Sequence, residues 1–114
     1  MKNNFVLPFN KTGIKDVNLV GGKNASLGEM IQHLQPLGVN VPDGFATTAE
    51  AFRLFLNENN LTEKLAQIIN TLDKTEFKNL NAISKGAKQL ILSAKLSEDL
   101  INEISNHYKD ICTN

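Results

Sequence analysis

Apolar side chains recur every three to four positions over most of this chain, and that spacing leaves few folds open to it. Leu27, Met30, Ile31 and Leu34 form one set; Ala49, Phe52, Phe55 and Leu56 form the next. Leu61, Leu65, Ile69 and Leu72 follow. A longer set runs through Phe77, Leu80, Ile83, Ala87, Leu90, Ile91 and Ala94, and Leu100, Ile101, Ile104, Tyr108 and Ile111 make the last. An α-helix turns about 100° per residue, so each set lines one side of a helix that must be buried against something.

The breaks between the sets carry helix punctuation. Asn24 is placed as the first N-cap, and Pro36 with Gly38 stops that helix. Thr47 stands three residues before Glu50 as a capping box. Asn57, Asn59 and Asn60 interrupt the next stripe, and Thr62 caps the third helix. Thr75 or Glu76 opens the fourth, where Gly86 costs about 1 kcal/mol relative to alanine unless it permits a close approach. Ser97 caps the last helix, whose Glu98 and Asp99 suit the positive end of its dipole.

Two stretches escape the helical period. Residues 5–9, Phe-Val-Leu-Pro-Phe, are a short apolar run in which Pro8 lacks an amide donor, which predicts an edge strand or an extended arm. Residues 10–18 are polar and read as turns. Residues 39–46 alternate in part and contain Pro42-Asp43-Gly44, which predicts an extended segment with a tight turn. The expectation is an α+β chain, mainly helical, with about five helices and short strands near 5–9 and 39–47.

Composition narrows the function classes. A chain of 114 residues suits one domain. Twelve basic and twelve acidic side chains cancel, which argues against a nucleic-acid-binding arm or a polybasic membrane anchor. No apolar run is long enough to cross a bilayer. Met1-Lys2-Asn3-Asn4-Phe5 lacks the apolar stretch of a secretory signal. Cys112 is the only cysteine, which excludes an internal disulfide and fits a reducing, cytoplasmic setting.

The stretch with the most chemistry is Val20-Gly21-Gly22-Lys23-Asn24, just ahead of the first apolar stripe. Glycines let a backbone turn sharply and approach a ligand closely. The amides and dipole of a helix N-terminus favour an anion, and Lys23 adds a full positive charge there. These parts suit a polyphosphate. The stretch is not a P-loop, because Asn24 follows the lysine and no matching upstream glycine exists. On spacing alone, a Gly-Gly turn beside a solvated lysine is the favoured reading of the same residues, because short glycine motifs recur by chance.

Two blocks carry a resemblance. Val17-Asn18-Leu19-Val20-Gly21-Gly22-Lys23-Asn24-Ala25-Ser26-Leu27-Gly28-Glu29-Met30 is similar to the opening of the phosphoenolpyruvate synthase (pyruvate, water dikinase) family. Leu37-Gly38-Val39-Asn40-Val41-Pro42-Asp43-Gly44-Phe45-Ala46-Thr47-Thr48-Ala49-Glu50-Ala51-Phe52 resembles the next stretch of the same family. The match is strong over residues 16–56 and colinear beyond. Pyruvate, phosphate dikinases and rifampin phosphotransferases share the Gly-Gly-Lys and Val-Pro-x-Gly-Phe pattern; the wording of the two blocks points to the synthases.

The resemblance implies an N-terminal nucleotide-binding domain like ATP-grasp, followed by a phosphohistidine domain and a pyruvate-binding barrel. It implies conversion of ATP, pyruvate and water to AMP, phosphoenolpyruvate and phosphate through a phosphohistidine, a step of gluconeogenesis, with Mg2+ and in a homodimer. It maps Lys23 onto the lysine that contacts ATP phosphates, with Gly21 and Gly22 supporting the turn. It assigns no catalytic residue and no metal ligand to this chain. The family's Val-Arg-Ser-Ser-Ala motif and its glycine-rich histidine motif are not found here, and Arg53, His33 and His107 do not match them. Residues 1–114 are therefore expected to be part of the ATP-binding domain of a longer enzyme, inactive alone. The competing expectations are a non-catalytic helical remnant or regulatory module with a closed core, and a fragment of one of the two related enzymes.

Overall fold

The computed structural model describes residues 5–112. These fall into two units. One holds the described residues up to Arg53 together with the C-terminal helix; the other is Leu54–Ser97.

In the first unit, β1 (Val6–Pro8) pairs antiparallel with β2 (Phe45–Thr47), in the register Val6 to Thr47, Leu7 to Ala46 and Pro8 to Phe45. The extended segment expected over 39–47 thus narrows to three residues. Asp43 accepts the Gly44 amide at 2.8 Å, and the Gly44 carbonyl accepts the Phe9 amide at 2.9 Å, which holds the turn against the start of the ribbon. Residues 9–11 and 14–16 form short 3-10 turns, then α1 (Val17–Val20) and α2 (Gly22–His33) follow. α1 is one turn long and raises the α-helix count among the described residues to six. Phe9, Val20, Ala25, Ile31 and Ala46 make the core, with Leu7, Leu27 and Val41 packed on it. α6 (Glu98–Cys112) lies against both strands and buries Leu100.

α3 (Ala49–Glu58) crosses the boundary between the units. Its cap is Thr48 and not Thr47: the Thr48 Oγ1 accepts the Ala51 amide at 3.2 Å, while Thr47 is the last residue of β2. The pairing with Val6 holds Thr47 in the sheet, so the next hydroxyl takes the cap.

The second unit contains α4 (Thr62–Asn70) packed on α5 (Leu80–Leu92). Leu61, not Thr62, occupies the cap position of α4, and no side chain caps it. The start expected at Thr75 or Glu76 is corrected to Leu80. Asp73 explains the delay. Its carboxylate accepts the amides of Thr75 at 3.1 Å and Glu76 at 3.3 Å, and Lys78 stands at 3.5 Å, so these amides are spent on a turn. Asn79 closes the connection by accepting the Asp73 amide at 2.8 Å and donating to the Thr71 carbonyl at 2.7 Å. Phe77 sits there at φ +55°. A Cβ on Gly86 would meet nothing within 4 Å, so no close approach explains that glycine.

Candidate functional site

Gly21, Gly22 and Lys23 lie together where α1 ends and α2 begins. The Gly21 amide donates to the Val17 carbonyl at 2.8 Å and finishes α1. Gly21 then takes φ +86° and ψ 164°, a region essentially restricted to glycine, and becomes the N-cap of α2. Its carbonyl accepts the Ala25 amide at 3.0 Å, the first bond of the new helix. The cap expected of Asn24 is therefore corrected. Asn24 is already inside the first turn, and its side-chain amide donates back to the Val20 carbonyl at 2.9 Å. The helix starts three residues early, at Gly22 instead of after Asn24, because Gly21 makes the reversal in one step.

Among the described residues no side chain caps α2, and no acid stands in its first turn. A helix start of this kind leaves its first amides without intrahelical partners. Lys23 is exposed in that turn and forms no ion pair with a described residue. Lysine charge, open amides and helix dipole thus act in the same direction, toward an anion. Gly22 is open as well, since a Cβ there would meet nothing within 4 Å.

The other face of α2 is tightly held. A Cβ on Gly28 would lie 2.1 Å from the carbonyl oxygen of Thr12, so the helix touches backbone there. Gln32 Nε2 donates to the same oxygen at 2.7 Å, and Glu29 Oε1 accepts the Ile14 amide at 2.9 Å. Thr12 is fully buried, and its hydroxyl donates to the Pro8 carbonyl at 2.7 Å. Sequence reading took residues 10–18 as turns and missed this contact. The available signal was Ala25 and Gly28, two small residues three apart on one face of the helix.

The histidines stand elsewhere. His33 ends α2 with Nε2 2.9 Å from Glu29 Oε2, and it is exposed. His107 lies on α6 with its ring centroid 5.7 Å from that of Phe45, beside a cavity of about 240 Å³ also lined by Lys11, Asp43 and Asp110. Arg53 and Cys112 are exposed. Among the described residues no three His, Cys, Asp or Glu side chains are grouped so as to hold a metal ion, so these residues do not by themselves form a Mg2+ site. No described helix is long and apolar enough to cross a membrane.

Fold and sequence together define a mainly helical α+β part of a nucleotide-binding domain. The chain belongs to the family described as pyruvate phosphate dikinase, AMP/ATP-binding domain, which matches residues 17–114. It is 47% identical over 107 residues to a phosphoenolpyruvate synthase of Synechocystis, covering 94% of this chain and 13% of that protein. It is 43% identical over 101 residues to the Helicobacter pylori phosphoenolpyruvate synthase, covering 89% of the chain and 12% of the relative. Against the phosphoenolpyruvate synthase of Escherichia coli it is 40% identical over 109 residues, 93% of this chain and 13% of the other. The chain thus spans about an eighth of the length of these relatives.

Proposed function

We propose that this chain is the N-terminal, ATP-binding portion of a phosphoenolpyruvate synthase, in which Lys23 holds the nucleotide's phosphates. The observation that carries the reading is the geometry of Gly21. Its glycine-only conformation opens α2 with unspent amides and sets beside them a lysine that forms no ion pair with a described residue. The family match and the named relatives support ATP as the anion. In the whole protein the substrates are ATP, pyruvate and water and the products AMP, phosphoenolpyruvate and phosphate, a cytoplasmic step of gluconeogenesis in a Mg2+-dependent homodimer. Lys23 neutralises phosphate charge as transfer proceeds, while the amides of Gly22 and Lys23 orient the phosphate oxygens. Later phosphohistidine and barrel domains supply the remaining chemistry.

Among the described residues, Leu34, Leu37 and Val39 stand open at the end of α2, with Leu37 77% exposed. That favours a part of a larger protein over a self-contained regulatory module. The test is an NMR titration of the labelled 114-residue chain with ATP into the millimolar range. We expect saturable shifts at the amides of Gly22, Lys23 and Asn24, abolished by Lys23→Ala. No saturable shift there, or shifts that survive Lys23→Ala, would overturn the reading.

A further inference from the structure

We propose that residues 9–16 are a brace that fixes where Lys23 points, and that Glu29 is the positioning residue through which the brace acts on α2. This rests on the reading of Lys23 as a phosphate ligand. The brace lies ahead of residues 17–114, the part matched by the family.

A helix end is only as well placed as the contacts that stop the helix from sliding and rotating. Beside the apolar packing of Ala25, Leu27 and Ile31, α2 has backbone and hydrogen-bonded contacts of this kind with residues 12–14. Gly28 rests on the Thr12 backbone, where there is no room for even a Cβ. Gln32 reaches the Thr12 carbonyl at 2.7 Å one turn further on. These two settle the depth of the helix. Glu29 settles its rotation, because its carboxylate bonds sideways to the Ile14 amide at 2.9 Å. The brace is itself rigid: Thr12 is anchored to Pro8, and the Gly13 amide donates to Asp16 Oδ2 at 3.0 Å. At about 100° per residue, Lys23 lies roughly 140° around the helix from Gly28, on the side away from the brace. A helix rolled about its axis therefore swings the ammonium and the first-turn amides together.

The sign of the effect separates positioning from charge. Glu29 carries a negative charge on the helix that binds the anion, with His33 as its other contact at 2.9 Å. By Coulomb's law alone, removing that charge strengthens ATP binding. Loss of the brace weakens it. Glu29→Ala removes both charge and hydrogen bond, whereas Glu29→Gln removes the charge and keeps an acceptor for the Ile14 amide.

The experiment measures the ATP dissociation constant of the 114-residue chain by the same NMR titration, in four variants. Glu29→Ala is expected to weaken binding by about five-fold, the order found for substitutions that act at a distance. Glu29→Gln is expected to bind at least as tightly as the parent. Gln32→Ala, which cuts the brace at a second point, is expected to follow Glu29→Ala. Dispersed spectra establish that each variant is folded. If Lys23→Ala leaves ATP binding unchanged, the phosphate reading fails. If Lys23→Ala abolishes binding but Glu29→Ala and Gln32→Ala bind like the parent, or Glu29→Gln weakens as much as Glu29→Ala, the brace fails and the phosphate reading stands.

Discussion

Gly28→Ala tests the contact on which the placement of α2 depends. The added Cβ lies 2.1 Å from the Thr12 oxygen and 2.6 Å from its carbonyl carbon, where ordinary contact begins at 3.4 Å. Both atoms are backbone, and the Thr12 side chain is fully buried, so neither can swing aside. The helix and the brace must part by about 1.3 Å, enough to break hydrogen bonds of 2.7 and 2.9 Å from Gln32 and to Glu29. Overpacking of this kind costs about 1–3 kcal/mol. Two lost hydrogen bonds add about 1 kcal/mol each. Alanine returns about 1 kcal/mol of helix propensity over glycine. The balance is a loss of about 2–4 kcal/mol, or a melting temperature lower by about 10–20 °C for a unit this small. Gly86→Ala is the control. It lies in α5 with nothing within 4 Å of the new Cβ, so only the propensity gain of about 1 kcal/mol remains. Urea unfolding followed by circular dichroism reads the sum. Amide exchange at Ile31 in α2 and Leu90 in α5 separates the two units. A Gly28→Ala protein as stable as its parent would refute the close-contact argument, whatever Gly86→Ala does.

Three further outcomes are expected. Gly21→Ala, which forces a side chain into φ +86° and ψ 164°, should destabilise the first unit by about 1–3 kcal/mol, whereas Gly22→Ala, at an open helical position, should not; equal urea midpoints for the two variants would count against the turn argument. The Asp73 carboxyl is held below its ordinary value of 3.8 by the Glu76 amide first, then those of Thr75 and Lys78, against opposing desolvation. A depressed folded pKa gives stability that is fully present above the ordinary value and is lost as pH falls through the folded one, so Asp73→Asn should flatten the acid limb of the Leu54–Ser97 unit below about pH 4; an unchanged pH profile of amide exchange in α5 would contradict this. The 114-residue chain alone should form neither AMP nor phosphoenolpyruvate from ATP and pyruvate, and detection of both products by chromatography would show that the chemistry needs less than proposed.

The helices were legible in the sequence because apolar periodicity states which face is buried, and each stripe found its helix. Their ends were less so, because a cap is chosen by competition between neighbours. Thr47 and Thr48 carry the same hydroxyl, and only the pairing of Thr47 with Val6 decides between them. Thr75 and Glu76 stand just ahead of the stripe that Phe77 begins, where a helix would open, but Asp73 takes their amides before a helix can. The position of Lys23 beside a glycine turn was visible from order alone. The brace beneath it was not, since Thr12, Glu29 and Gln32 are polar residues whose partners lie fifteen to twenty positions away.

Glycine shows why such a letter is hard to read. Gly21 is required by its backbone angles and has free space around it. Gly28 lies in a regular helix and is required only by space, because a neighbouring carbonyl occupies the place of its Cβ. Gly86 is required by neither. Substitution separates the three cases, since relaxing the backbone rescues only the first and removing the neighbour rescues only the second. The two constrained glycines stand seven residues apart on one helix, one shaping its open end and the other seating its buried face. On the proposed reading of Lys23 as a phosphate ligand, the site needs both, because an ammonium group binds an anion well only when the helix that carries it has one place to be.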